Sequence, residues 1–177
     1  YVAGLSAGGS MAVILGHTYP DVFAAVGCHS GLPYGRAESA SSALRLMRDG
    51  PGNATHPGLL SAVPTIVFQG DADDTVHPSN ARRIIEDCVG AHGRRARTEG
   101  ASIETLDGST RAFRRTVFSD ARGRTYAEQW IVRGSGHAWS GGDPAARFTD
   151  AHGPDATAHM LRFFDEHALR PRLAARQ

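Results

Sequence analysis

Short apolar runs alternate with stretches of helical periodicity along the chain. Residues 1–3 (YVA) have the character of the end of a buried strand. Residues 7–18 follow with Met11, Ile14 and Leu15 at helical spacing, and Tyr19-Pro20 stops that helix. Residues 23–27 (FAAVG) suit a strand covered on both faces. A Gly- and Pro-marked loop, 31–35, precedes a predicted helix over 39–48 and a loose segment, 49–56. Residues 64–70 (PTIVFQG) are the clearest parallel-type strand. Pro78 then opens a helix that places Ile84, Ile85 and Cys88 on one face.

Further on, residues 91–111 are polar, rich in Arg and Gly, and predict irregular structure. Two alternating segments, 113–118 and 126–132, predict strands joined by the turn Asp120-Ala121-Arg122-Gly123. Pro154-Asp155-Ala156 starts a last helix whose apolar face is Met160, Leu161, Phe163 and Phe164. The pattern predicts one domain over 1–169 and a fraying Arg- and Pro-rich tail over 170–177. Strands alternating with helices predict an α/β fold, a mostly parallel sheet with helices on both faces. Only three or four strands can be counted, which is few for such a sheet.

The chemistry concentrates where strands end. Gly4-Leu5-Ser6-Ala7-Gly8 lies between a strand and a helix, the nucleophile-elbow pattern. A sharp strand-to-helix corner strains its central residue, and glycines two positions either side answer the crowding. The corner serine then stands at a helix N-terminus, where backbone N–H groups can stabilise an oxyanion. Such a serine needs a base and an acid to orient it, in the order Ser, Asp or Glu, His. Asp71, Asp73 and Asp74 share the loop after 64–70, and spacing alone does not rank them. Among nine histidines, His137 stands out: it follows the last strand and is flanked by Gly134, Gly136, Gly141 and Gly142. His77 and His29 lie close enough in sequence to strand ends to line a pocket, although a structural place suits each better.

Composition narrows the picture. The 177 residues are 41% hydrophobic and 21% charged with a formal net charge of +1, which gives no electrostatic reason for a nucleic-acid or membrane partner. Every basic residue is arginine, scattered apart from Arg94-Arg95-Ala96-Arg97, which a solvated loop explains. Cys28 and Cys88 form neither a disulfide framework nor a metal pattern, and a single bridge between them is left open by the sequence; no metal or cofactor is predicted. No apolar run approaches a membrane span. The chain opens without methionine, which leaves secreted and cytoplasmic locations equally open.

Several segments, taken together and in order, resemble the polyhydroxybutyrate depolymerase-type esterases of the α/β-hydrolase fold. They are residues 4–12 (GLSAGGSMA), 19–26 (YPDVFAAV), 29–33 (HSGLP), 70–78 (GDADDTVHP), 136–142 (GHAWSGG) and 153–156 (GPDA). The resemblance implies Ser6 as nucleophile, Asp73 as triad acid and His137 as base. It implies the Ala7 N–H as one oxyanion donor, and Trp139, with Leu32 and His77, as substrate contacts. It further implies that this is the C-terminal part of such an esterase, the strands ahead of the elbow and a His-Gly oxyanion segment being absent. The substrate class it implies is a hydroxyalkanoate polyester or its oligomers. A carbohydrate esterase (acetyl xylan or feruloyl) and an inactive truncated fragment are the alternatives.

Overall fold

The computed structural model describes residues 1–52, 61–93, 97–104 and 111–168. Four sequence expectations lie wholly or partly outside them: the loose segment beyond 52, the arginine run at 94–96, residues 105–110 of the polar stretch, and the tail over 170–177.

Twelve elements are described: β1 (Val2–Leu5), α1 (Ala7–Thr18), β2 (Val26–His29), α2 (Ala40–Asp49), β3 (Thr65–Gly70), α3 (Ser79–His92), β4 (Arg97–Glu104), β5 (Phe113–Ser119), β6 (Thr125–Val132), β7 (Trp139–Ser140), β8 (Thr149–Asp150) and α4 (Ala156–Asp165). Six strands form one sheet in the order β1-β2-β3-β6-β5-β4. The pairs β1–β2, β2–β3 and β3–β6 are parallel, and the β6–β5 and β5–β4 pairs are antiparallel. Four successive parallel strands therefore end on one edge of the sheet.

Four expectations change. The sheet has six strands, more than the three or four counted, and one of them, β4, lies in the polar stretch expected to be irregular. Among the described residues β4 lies at the edge of the sheet and pairs through its backbone with β5 alone, a role a polar sequence does not oppose. The strand placed at 23–27 runs instead over 26–29, in register with β1 and β3, which draws polar His29 into the sheet. The face of α1 also differs. Met11 and Ile14 are exposed, and Gly9, Ala12, Val13 and Gly16 face inward. Small residues let the helix lie close to the sheet: a Cβ on Gly16 would collide with the Val26 side chain. On α4, Met160, Phe163 and Phe164 are buried as predicted, but Leu161 faces solvent.

The core divides between the two faces of the sheet. One cluster joins α1 and α3 to the sheet through Ala12, Val13, Val67, Ile84 and Ile85. The other joins α4 through Phe68, Trp130, Met160 and Phe163. Cys28 and Cys88 are both free and buried, and burial pushes both thiols up to about 12, so they behave as small apolar groups. Glu128 is fully buried in β6, where Arg115, Arg162 and the Trp130 indole N–H bond to its carboxylate. Burial pushes that carboxyl up, but the arginine and indole hydrogen bonds outweigh it and hold it below its usual range. No helix among the described residues is long and apolar enough to cross a membrane.

Candidate active site

β1 delivers Ser6 to the carboxyl edge of the sheet. Its backbone has φ 59° and ψ −119°, a strained conformation for a residue with a side chain. The Ser6 N–H donates to the His29 carbonyl at 2.8 Å, which fixes the corner against the neighbouring strand. Ala7 opens α1, so its N–H is among the first amides of that helix, which have no intrahelical carbonyl.

The glycines divide their work differently from the pattern. A Cβ on Gly4 would lie 2.6 Å from the Gly8 carbonyl oxygen, closer than real side chains approach backbone. One on Gly9 would lie 2.9 Å from both the Gly4 and the His29 carbonyl oxygens. One on Gly8 would meet nothing within 4 Å. The crowded positions are therefore Gly4 and Gly9, and the second glycine of the pentapeptide is not itself crowded.

The loop after β3 presents three aspartates with separate fates. The Asp71 carboxylate accepts the Gly134 N–H at 2.6 Å, and Asp74 lies exposed with the Thr75 hydroxyl near it. Asp73 is buried. Its Oδ1 accepts the N–H groups of Thr75 (3.0 Å) and Val76 (2.8 Å), and its Oδ2 accepts the Gln69 amide (2.9 Å). Burial pushes the Asp73 carboxyl up, yet hydrogen bonds from Val76 N–H, His137 and Ser30 outweigh it and leave the group below its usual range. An ionised carboxylate can only accept, so His137 Nδ1, 2.9 Å from Asp73 Oδ2, carries the proton of that bond. The lone pair of a neutral imidazole is then on Nε2.

His137 sits in the loop after β6, and this loop is pinned on two sides. Ala72 N–H donates to the Ser135 carbonyl at 3.1 Å, and a Cβ on Gly70 would overlap that carbonyl. On the other side the Ser135 hydroxyl donates to the buried Asp150 carboxylate at 2.7 Å, and Arg111 Nε lies 2.6 Å from the same carboxylate. Arg111 also bonds the Gly134 carbonyl at 2.7 Å.

Ser6, Asp73 and His137 thus follow β1, β3 and β6 on one edge of the sheet. The acid–base pair is hydrogen-bonded; among the described residues no hydrogen bond joins the Ser6 hydroxyl to the ring. Trp139 stacks beside His29 at 5.4 Å and donates its indole N–H to Thr157. Leu32 is held by its backbone, which donates to the Ser10 hydroxyl at 2.9 Å, while Ser10 donates to the Ser6 carbonyl. His77 is exposed and bonds Ser79 at 2.8 Å. No hydrogen bond or ring contact described joins the side chains of Leu32 or His77 to Ser6, Asp73 or His137. A cavity of about 570 Å³, lined by Pro64, His92, Thr125 and Tyr126 among others, opens where β3 and β6 begin, at the opposite end of the sheet.

Sequence reasoning left out Gln69, Ser30 and the full part of His29. Each had one signal: a polar residue at the end of an apolar strand.

A strained serine between strand and helix, at the carboxyl edge of a mostly parallel sheet flanked by helices, defines an α/β-hydrolase-type fold. The chain belongs to the esterase PHB depolymerase family, whose pattern matches residues 1–101. It is 32% identical over 148 residues to poly(3-hydroxyalkanoate) depolymerase C of Paucimonas lemoignei, covering 77% of this chain and 34% of that protein. The chain spans about a third of the length of the curated relatives it matches. Among solved structures, the PHB depolymerase of Penicillium funiculosum shares the fold with a TM-score of 0.60 at 18% identity, over 99% of this chain and 53% of that one. The acetyl xylan esterase of Aspergillus awamori does so with a TM-score of 0.57 at 21% identity, over 77% and 53% respectively.

Proposed function

We propose that this chain carries the nucleophile, acid and base of a serine esterase acting through an acyl-enzyme. The observation that carries the reading is the Asp73–His137 hydrogen bond, formed on the same sheet edge as a serine in a strained elbow. In this reading Ser6 Oγ attacks the ester carbonyl as His137 Nε2 takes its proton. Asp73 keeps the ring proton on Nδ1 and stabilises the imidazolium that forms. The Ala7 N–H donates to the oxyanion. The imidazolium then protonates the departing alkoxide, and water, deprotonated by the same ring, releases the acid and restores Ser6.

Poly(3-hydroxyalkanoate) polyesters and their oligomers are the substrate class, supported by the family and by the identity to a poly(3-hydroxyalkanoate) depolymerase. Carbohydrate esters form a second reading, supported by the shared fold with an acetyl xylan esterase. Hydrolysis rates on hydroxybutyrate oligomers, acetylated xylan and feruloyl esters separate the two. The first reading predicts turnover of the hydroxybutyrate oligomers that Ser6→Ala abolishes. Faster turnover of the xylan or feruloyl esters would replace the polyester assignment, and turnover retained by Ser6→Ala would end the mechanism.

A further inference from the structure

His29 is a buried imidazole at the end of β2, between the strand that carries Ser6 and the strand that leads to Asp73. Its ring lies near Phe68 on one side (5.8 Å) and Trp139 on another (5.4 Å). Three bonds hold this residue, and two of them reach different parts of the candidate site. Its carbonyl accepts the Ser6 N–H at 2.8 Å. Its Nε2 lies 3.0 Å from the Ser140 N–H, in the segment that follows His137. Its Nδ1 lies 3.2 Å from the Ser30 hydroxyl.

The proton positions follow from donor chemistry. A backbone N–H can only donate, so Nε2 accepts and bears no hydrogen. A neutral ring then carries its proton on Nδ1 and donates it to Ser30 Oγ. With its lone pair occupied, the Ser30 hydroxyl has its own proton to give, and it is among the groups that favour the ionised Asp73. Burial keeps the ring neutral, its pKa pushed down to about 3, with the Asp73 charge opposing this and His137 reinforcing it. Ser30 itself holds φ 49°, an uncommon backbone for a residue with a side chain, with its N–H on the Phe68 carbonyl at 3.0 Å.

We infer that His29 is a positioning residue that fixes the elbow and the base loop relative to one another, through its carbonyl to Ser6 and through its Nε2 to Ser140 in the segment after His137, with its Nδ1 held by Ser30. This rests on the esterase reading for its effect on rate, but the bonds themselves do not. Displacements of the reacting groups by about 1 Å cost on the order of 100-fold in rate, so a residue that sets both the elbow and the base loop governs turnover without touching substrate.

The test has two arms. In protein labelled with ¹⁵N-histidine, the His29 ring is expected to carry its proton on Nδ1, with Nε2 unprotonated, at every pH from about 5 to 8. A proton on Nε2, or titration of the ring in that range, would overturn the inference whatever the catalytic outcome. The second arm compares His29→Leu, which fills the volume but has no polar atom, with His29→Asn, whose amide can reach Ser30. A fluorophosphonate reporting on Ser6 should react about 10- to 100-fold more slowly in His29→Leu, with KM for a p-nitrophenyl ester within about twofold of the parent and partial recovery in His29→Asn. A residue that only packs would give the reverse order, because leucine suits an apolar slot better than asparagine. Equal reaction of His29→Leu and parent, or faster reaction of Leu than Asn, would overturn the inference. If the parent protein does not react at Ser6, the esterase reading fails and the ring-proton measurement alone decides the inference.

Discussion

Asp73 Oδ2 and His137 Nδ1 lie 2.9 Å apart, joining two loops separated by 64 residues of sequence. The bond is not an isolated contact, because Gln69, Thr75 and Val76 hold the other lone pairs of the carboxylate. An acid satisfied this fully stays ionised and fixes the ring tautomer. Replacing it with an amide reverses one donor. Asp73→Asn should therefore keep the fold and lower kcat on a p-nitrophenyl ester by about 10⁴-fold, because the wrong tautomer is stabilised. Steady-state kinetics with circular dichroism checks both halves of that expectation.

The elbow glycines make an unequal pair. Gly8→Ala adds a methyl in open space on a helix, so it should be neutral or stabilise by roughly 0.5–1 kcal/mol. Gly4→Ala drives a methyl into the Gly8 backbone, where nothing can yield without moving the corner. Urea denaturation should show a lower midpoint for Gly4→Ala, and reaction at Ser6 should be lost even where the protein stays folded.

Acid should weaken the fold partly through His29. Its folded pKa of about 3 is below the ordinary 6.5. As pH falls below about 6.5 the unfolded chain takes up a proton that the folded ring refuses, so stability drops with falling pH until about 3. The slope from this one group is at most about 1.4 kcal/mol per pH unit. Asp73, also held below its ordinary value, acts in the same direction at lower pH. Urea midpoints at pH 7 and pH 5 should differ less in His29→Gln than in the parent.

The pinning of the His137 loop can be measured separately. Asp150 is buried and meets both the Ser135 hydroxyl and Arg111. Arg111 is about a third exposed and can rehydrate, so Asp150→Ala should cost about 2 kcal/mol, below the range for fully buried pairs. Thermal denaturation reads that loss. Reaction at Ser6 should slow as well, since Ser135 sits two residues before the base.

Much of this was legible in the chain. Apolar runs located β3, β5 and β6 to within a few residues, because buried strands and an alternating hairpin leave strong patterns. β4 was not legible, since an edge strand pairs by backbone groups that every residue shares. The inward face of α1 was misjudged because close packing selected Gly9, Ala12 and Gly16 over its larger residues. Spacing could not choose among Asp71, Asp73 and Asp74. Family resemblance selected Asp73, and in the structure Asp73 is the one bonded to His137. The reach of His29 was invisible, because Ser6 and Ser140 meet it only when β1 and the segment after His137 are brought to the end of β2.

The most direct measurement is peptide mapping of the protein after exposure to a fluorophosphonate, comparing the parent with Ser6→Ala and His137→Ala. A single adduct on the peptide carrying Ser6, absent from Ser6→Ala and strongly reduced in His137→Ala, is the predicted result. Modification elsewhere with Ser6 untouched, or full modification of Ser6 in His137→Ala, would contradict it.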